Sequence, residues 1–340
     1  MSMIKIGSGR DENRSPLYKV VPLDIPFSIG IWVSDFCNFK CVYCSHSTNS
    51  KVCVEHMITW DEFVNMIDNI EELYRINGGG RAKNLVICGV GEPLTNPLLP
   101  KMIRYCREHN ISDRIELTTN GSLLTHKLSD ELIDAGLTRI LVSIQGINAE
   151  AYNRVSGINI DFEKFLNEIK YFYENRKQCT VYIKTLDIAL NKGEDEEFYN
   201  IFSPIADMVN IEKAMVGFDD VDYSKLIKAK EDRCVTRYGY KWKERIACDA
   251  LFMRLNITTH GDVNACTCQW PALSLGNIYD KPLKDIWNGD LHKLYMKLHL
   301  QGKRGDIKRC ANCESISYAG HPLDNLDDHL DEILDRLNKM

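Results

Sequence analysis

Residues 26–45 read PFSIGIWVSDFCNFKCVYCS. The first half, through Val33, is a short apolar run flanked by Pro26 and Ser34, and it reads as a buried strand. Directly after it come Cys37, Cys41 and Cys44 at a C-x3-C-x2-C spacing, with Tyr43 just before the third thiol. Three thiolates hold three corners of a cubic 4Fe-4S cluster and leave one iron open, whereas ferredoxin runs supply four cysteines. Zinc with His46 as fourth ligand is the alternative, but Cys44-x-His46 is tighter than zinc spacings usually are. The strand and the thiols behind it place a metal centre at a strand end.

Working outward, residues 84–88, 114–118, 139–143, 180–187 and 208–212 are further buried strands. Between them, residues 60–74, 98–109, 126–135, 162–174 and 196–201 carry helical patterns. Strands alternating with helices mean βαβ units on a parallel sheet with helices outside. Periodicity is compatible with a partial barrel and with an open doubly wound sheet. Residues 214–245 read as a charged connector. After Cys248, residues 252–258 and 263–266 flank a hairpin turn at Thr259-His260-Gly261-Asp262. A helix is expected over 282–300, with Pro282 in its first turn. Leucines 323, 326, 330, 334 and 337 make a helical stripe suited to docking on the body.

The 340 residues carry a net charge of −6 and no long basic run, which gives no footprint for nucleic acid or a membrane surface. No apolar stretch of about 18 residues is present to span a bilayer. Residues 1–24 are polar and lack a signal core, so a cytoplasmic protein is expected. Thirteen cysteines in that compartment argue for metal or redox work rather than disulfides.

A second thiol group lies near the other end. Cys248 and Cys266 are joined by Cys310-x2-Cys313, four ligands that saturate a cluster or a zinc ion. The N-terminal triad tips the balance toward iron–sulfur. Cys268 is an extra thiol next to this group, either a buried bystander or a functional group facing the site.

The triad with Tyr43, followed by Gly91-Glu92-Pro93, resembles the radical S-adenosylmethionine (SAM) enzymes. Thr118-Thr119-Asn120-Gly121 and Ser143-Ile144-Gln145-Gly146 look like that superfamily's third and fourth strand ends. Val90 stands where a first glycine is usual, and Gln145 replaces a more common aspartate. The C-terminal run Cys248-x12-Gly261-x4-Cys266, with Leu275-Gly276-Asn277-Ile278 and Asp285-Ile286-Trp287-Asn288, resembles the SPASM/twitch extension of the same superfamily. Because no cysteine follows Cys313, the shorter twitch form with one auxiliary cluster is expected.

The resemblance implies an α/β fold, a partial (β/α)6 TIM-like barrel with a small C-terminal twitch (SPASM-like) domain. Its divisions are an extension over 1–25, a barrel over 26–213, a connector over 214–247, the auxiliary-cluster domain over 248–318 and a C-terminal helix over 319–340. It implies S-adenosyl-L-methionine and a 4Fe-4S cluster on Cys37, Cys41 and Cys44, and a second 4Fe-4S cluster on Cys248, Cys266, Cys310 and Cys313. Gly91, Glu92, Asn120 and Ser143 are the implied cofactor-binding residues. The reaction expected is hydrogen abstraction from a small polar molecule, a sugar or cyclitol, with oxidation through the auxiliary cluster. The cysteine spacing is similar to that of 2-deoxy-scyllo-inosamine dehydrogenase. A reductant such as a flavodoxin or ferredoxin is implied as partner. Epimerisation, with Cys268 as hydrogen donor, and maturation of a ribosomal peptide are alternative reactions. A non-catalytic iron–sulfur electron carrier is the alternative outside enzymes.

Overall fold

The computed structural model describes residues 14–48, 54–227, 234–266 and 272–340. Six parallel strands, β1 (Ser28–Trp32), β2 (Ala82–Cys88), β3 (Ser112–Thr119), β4 (Arg139–Ile144), β5 (Thr180–Leu186) and β6 (Met208–Glu212), lie side by side in chain order. They are connected through α1 (Trp60–Ile76), α2 (Leu99–Glu108), α3 (His126–Asp134), α4 (Ala149–Ser156), α5 (Phe162–Asn175) and α6 (Asp195–Phe202). The sheet does not close, because β6 ends one side and β1 turns its other edge to the C-terminal part. This is the expected partial barrel.

Alternation makes the two faces chemically different. Ile29, Ile31, Leu85, Ile87, Ile115, Leu117, Ile140 and Val142 are fully or almost fully buried in the core beneath the helices. The intervening residues line the inner side and are mostly polar: Asn84, Arg114, Glu116, Arg139, Ser143 and Lys184. Helix α1 shows how the outer layer forms. Thr59 and Glu62 build a complete capping box at its start, and Phe63, Met66, Ile67, Ile70, Leu73 and Tyr74 make one buried stripe.

The C-terminal part continues the same sheet. A one-turn helix, α7 (Ala250–Met253), leads into β7 (Arg254–Ile257), which pairs parallel to β1 with Ser28 opposite Arg254. Strands β8 (Asp262–Asn264) and β9 (Ser274–Asn277) add antiparallel beyond it. The expected strand over 252–258 therefore begins two residues later, since Phe252 and Met253 belong to the helical turn.

The expected helix over 282–300 is two helices, α8 (Leu283–Trp287) and α9 (Asp290–Leu300). They break at Gly289, where a Cβ would lie 2.4 Å from the Asp285 carbonyl oxygen. Two short helices follow, α10 (Lys308–Ala311) and α11 (Ser315–Tyr318). The last helix, α12 (Leu330–Leu337), is shorter than the leucine stripe, because 322–324 and 327–329 are separate 3-10 turns. It docks as expected, with Ile333 and Leu337 buried.

Candidate active site

The three-cysteine loop leaves the end of β1 and is held from every side. Its Asp35 N–H donates to the His56 carbonyl at 2.8 Å, and its Phe36 carbonyl accepts from the Glu92 N–H at 2.8 Å. Lys40 and Val42 donate to the carbonyls of Ser156 and Val155, each at 2.9 Å. Those carbonyls belong to the last turn of α4, whose final C=O groups have no partner within the helix. The helix end and the loop thus satisfy each other. Asn38 donates to Ser122 at 2.8 Å and accepts from Asn120 at 2.9 Å, stapling the loop to the end of β3. The Tyr43 hydroxyl donates to the Gln145 side chain, and the Tyr43 carbonyl accepts from Tyr223 at 2.7 Å.

Burial pushes the Cys37 thiol up to about 12 and raises Cys41 and Cys44 as well. Cys41 also feels the other two thiols, so the three share one patch. Such thiols keep their protons until a metal centre displaces them. His46 is turned to different neighbours, its charged form disfavoured by burial and favoured by Glu55 and Asp35. Among the described residues no three His, Cys, Asp or Glu side chains, His46 included, are gathered around a single ion.

Gly91 permits close approach: a Cβ there would lie 2.3 Å from the Ser34 carbonyl oxygen. Glu92 next to it is a buried clasp. Its carboxylate accepts from the Asn120 N–H at 2.7 Å, the Thr119 hydroxyl at 2.5 Å and the Leu94 N–H at 3.0 Å. Burial raises its pKa, and these donors oppose that rise. Both carboxylate oxygens accept from residues at the β2 and β3 ends, so the Glu92 side chain is engaged within the protein. Asn120 is used in the same way, accepting from Ser122 while it holds Asn38. Ser143 is a half-buried residue on the inner side of β4, level with Lys184 of β5.

Beside these strand ends lies a cavity of about 370 Å³. Tyr43, Cys44, Cys88, Arg237, Tyr238 and Arg254 are among its walls. Below it, charges on the inner side are paired: Arg139 with Glu116 at 3.4 Å, and Lys184 and Arg237 on Glu212 at 2.9 and 2.7 Å. Burial alone would raise the Glu212 carboxyl, yet Arg237 and Lys184 hold it down at about 2. Lys184 thus points inward. Three further side chains near the loop have structural partners. Tyr152 is buried against Phe39, Arg154 donates to the Ala189 carbonyl, and Asp35 accepts from Thr259 at 2.5 Å.

The second thiol group also comes together. Cys248, Cys266, Cys310 and Cys313 line one cavity, with Leu251, Ala265, Leu273 and Ile316 as apolar wall and Arg304 and Arg309 as nearby cations. A cubane gives each thiolate its own iron, so its ligands spread wider than in a single-ion shell with Zn–S bonds of about 2.3 Å. Among the described residues no three His, Cys, Asp or Glu side chains are gathered around a single ion. Four thiols in an apolar wall with cations nearby suit an iron–sulfur cluster. Cys268 and Cys53 lie outside the described residues, and Cys234 is exposed.

The sequence reading did not single out α4, Asn38, Arg237, Tyr238 or Arg254. Asn148 and Gly157 were the available signals for α4, as a side-chain cap at one end and a left-handed residue at the other. The two arginines carry no local signal.

An open parallel sheet that offers three clustered thiols at its strand ends, with a four-thiol unit beyond its edge, defines an enzyme class built around iron–sulfur radical chemistry. The Radical SAM superfamily model matches residues 31–201, an iron-sulfur cluster-binding SPASM domain matches residues 248–314, and the chain belongs to the radical SAM superfamily. Its cofactors are S-adenosylmethionine and two 4Fe-4S clusters. The chain is 25% identical over 328 residues to an AdoMet-dependent heme synthase of Methanosarcina barkeri, covering 83% of this chain and 89% of that one. A probable GTP 3',8-cyclase of Methanocaldococcus jannaschii is 32% identical over 237 residues, covering 66% of this chain and 74% of that one. The crystal structure of BtrN with AdoMet and 2-DOIA superposes at a TM-score of 0.56 and 17% identity, covering 87% of this chain and 96% of that one, a likeness of fold. Among the described residues no helix is long and apolar enough to cross a membrane.

Proposed function

We propose that this enzyme oxidises a small polar substrate, a sugar or cyclitol, by removing a hydrogen atom from carbon and then an electron, with the hydroxyl proton released to solvent. Cys37, Cys41 and Cys44 hold the cluster that binds S-adenosylmethionine, and Cys248, Cys266, Cys310 and Cys313 hold the auxiliary cluster. With cofactor bound, the first centre supplies a 5'-deoxyadenosyl radical, and the second is an acceptor for the electron left on the substrate. The backbone at Gly91–Glu92 and at Asn120, and the side chain of Ser143, orient the cofactor. Glu92 and Asn38 act as positioning residues, since each ties the cysteine loop or its neighbour to the β3 end. The inner side of the sheet supplies polar groups to hold a substrate and keep its C–H bond facing the cysteine loop.

One observation carries this reading: four thiols, one per iron of a cubane, line the second cavity together. A cluster so ligated leaves no iron for substrate and serves electron transfer. Anaerobic enzyme with a flavodoxin or dithionite and a panel of sugars and cyclitols tests it. Oxidised product should form in step with 5'-deoxyadenosine. An epimer carrying solvent deuterium, with no ketone, sinks the oxidation. Cys88 favours that second reading, because its thiol lines the cavity beside Cys44 and is raised to about 12 by burial and then by Glu116, so it stays protonated.

A further inference from the structure

One half-buried cation has no role in the chemistry so far. Arg254 opens β7, and its side chain lines the cavity that Cys44 and Cys88 also line. Among the described residues it has no hydrogen-bond or ion-pair partner, and its Nε is enclosed without an acceptor. The other inward cations differ. Arg139 meets Glu116, Lys184 and Arg237 share Glu212, and Arg114 donates to Asn84 at 3.2 Å. An Nε–H of a cation enclosed without an acceptor is costly, so a folded protein keeps one where something arrives to meet it.

A second donor sits beside it. Asn256, the next inward residue of β7, is 6% exposed, and its amide nitrogen has no acceptor. It fills the space over Gly30, where a Cβ would lie 2.0 Å from its side-chain oxygen. The inner faces of the strands carry Arg114, Arg139, Lys184 and Arg254 against Glu116 and Glu212, an excess of positive charge in a chain whose net charge is −6. Enclosed donors and surplus cations specify a ligand that brings acceptor atoms and negative charge.

We propose that Arg254 receives an anionic group of the substrate, a carboxylate or a phosphate, through a charge-assisted fork, and that this contact sets which C–H bond faces the cysteine loop. The proposal rests on the oxidation of a small polar substrate argued above and narrows its class to sugar or cyclitol acids and phosphates.

The test is calorimetric binding to full-length, anaerobically reconstituted protein loaded with S-adenosylmethionine. Its ligands are glucose, gluconate and glucose 6-phosphate, then myo-inositol and its 1-phosphate. The anionic members should bind about 10-fold or more tighter than their neutral partners. Gluconate against glucose 6-phosphate tells carboxylate from phosphate. Arg254→Met should erase the preference and Arg254→Lys should keep part of it. Both variants should retain the wild-type iron content and S-adenosylmethionine affinity. Equal binding of neutral and anionic members, or binding of none, overturns the proposal. So does a preference that survives in Arg254→Met, or a loss of S-adenosylmethionine affinity in its place, which would assign the guanidinium to the cofactor. An anionic ligand that shows the Arg254-dependent preference but yields 5'-deoxyadenosine without oxidised product leaves this site standing and defeats the oxidation alone.

Discussion

The two thiol groups reach their sites by opposite routes. Cys37, Cys41 and Cys44 come from one short loop, and its shape is imposed by neighbours: the α4 carbonyls, the Asn38–Asn120 staple and the Gly91 close approach. Cys248, Cys266, Cys310 and Cys313 come from three distant segments that share an apolar wall. The first group opens beside a cavity able to admit a small molecule, and the second is walled by Leu251, Ala265, Leu273 and Ile316. A site that must bind a ligand is built on a braced loop at strand ends. The second site is sunk in a small, mostly apolar cavity, where burial lowers solvent access and so tunes the potential of a cluster held there.

The sharpest way to break the comparison is to remove one thiol from each group. Cys41→Ala should abolish 5'-deoxyadenosine formation and lower bound iron from about eight to about four per chain. Cys310→Ala should lower iron by the same amount yet still cleave S-adenosylmethionine, with product formation lost. Iron analysis with quantified 5'-deoxyadenosine separates the two. Equal loss of cleavage in both would mean that the second group holds the first in place rather than serving electron transfer.

What was legible in the sequence follows the same division. The triad could be read because its ligands are neighbours in the chain, and the six strands because apolar runs alternate with amphipathic helices. Helix α4 escaped because Ala151 and Ser156 make up half of its buried face and do not stand out as an apolar stripe, although Asn148 and Gly157 mark its ends. The apolar run over 250–257 does not say where helix becomes strand, and the pairing of β7 with β1 settles it at Arg254. Lys184 and Arg254 sit on strands whose inward face depends on register with a neighbour, which no local pattern encodes. The inward charges of the sheet were therefore hidden, and the thiol groups were not.

The barrel's own charge pairing gives the next effect in size. Glu212 accepts from Lys184 and Arg237 and is 3% exposed, so Glu212→Gln leaves two cations facing one neutral amide. The loss should be about 3 kcal/mol in denaturant unfolding. The ionised carboxylate is the stabilised form. Its contribution is complete above the ordinary carboxyl value near 4.5 and fades as pH falls through about 2. Wild-type and Glu212→Gln stabilities should therefore converge between those values, and differ by a constant amount from about pH 5 to 8. The C-terminal cavity has no carboxylate among its described lining residues, so a comparable acid-sensitive pair is not expected there.

The smallest effects fall where the two regions join. Helix α8 lies on α1, and Trp287 is 2% exposed with its indole N–H donating to the Leu23 carbonyl at 3.0 Å. Trp287→Phe removes that bond and some packed volume, and should cost about 1–2 kcal/mol. Lys284 on the same helix bonds Glu72 of α1 at 2.6 Å, a shorter contact, but both side chains are about a third exposed. Water and salt screen such a pair, and holding two long side chains together costs entropy, so Lys284→Ala should leave Tm within about 1 °C. Burial, not bond length, sets the ranking. A larger shift for Lys284→Ala than for Trp287→Phe would mean that the C-terminal unit is steered onto the barrel by charge instead of being packed against it.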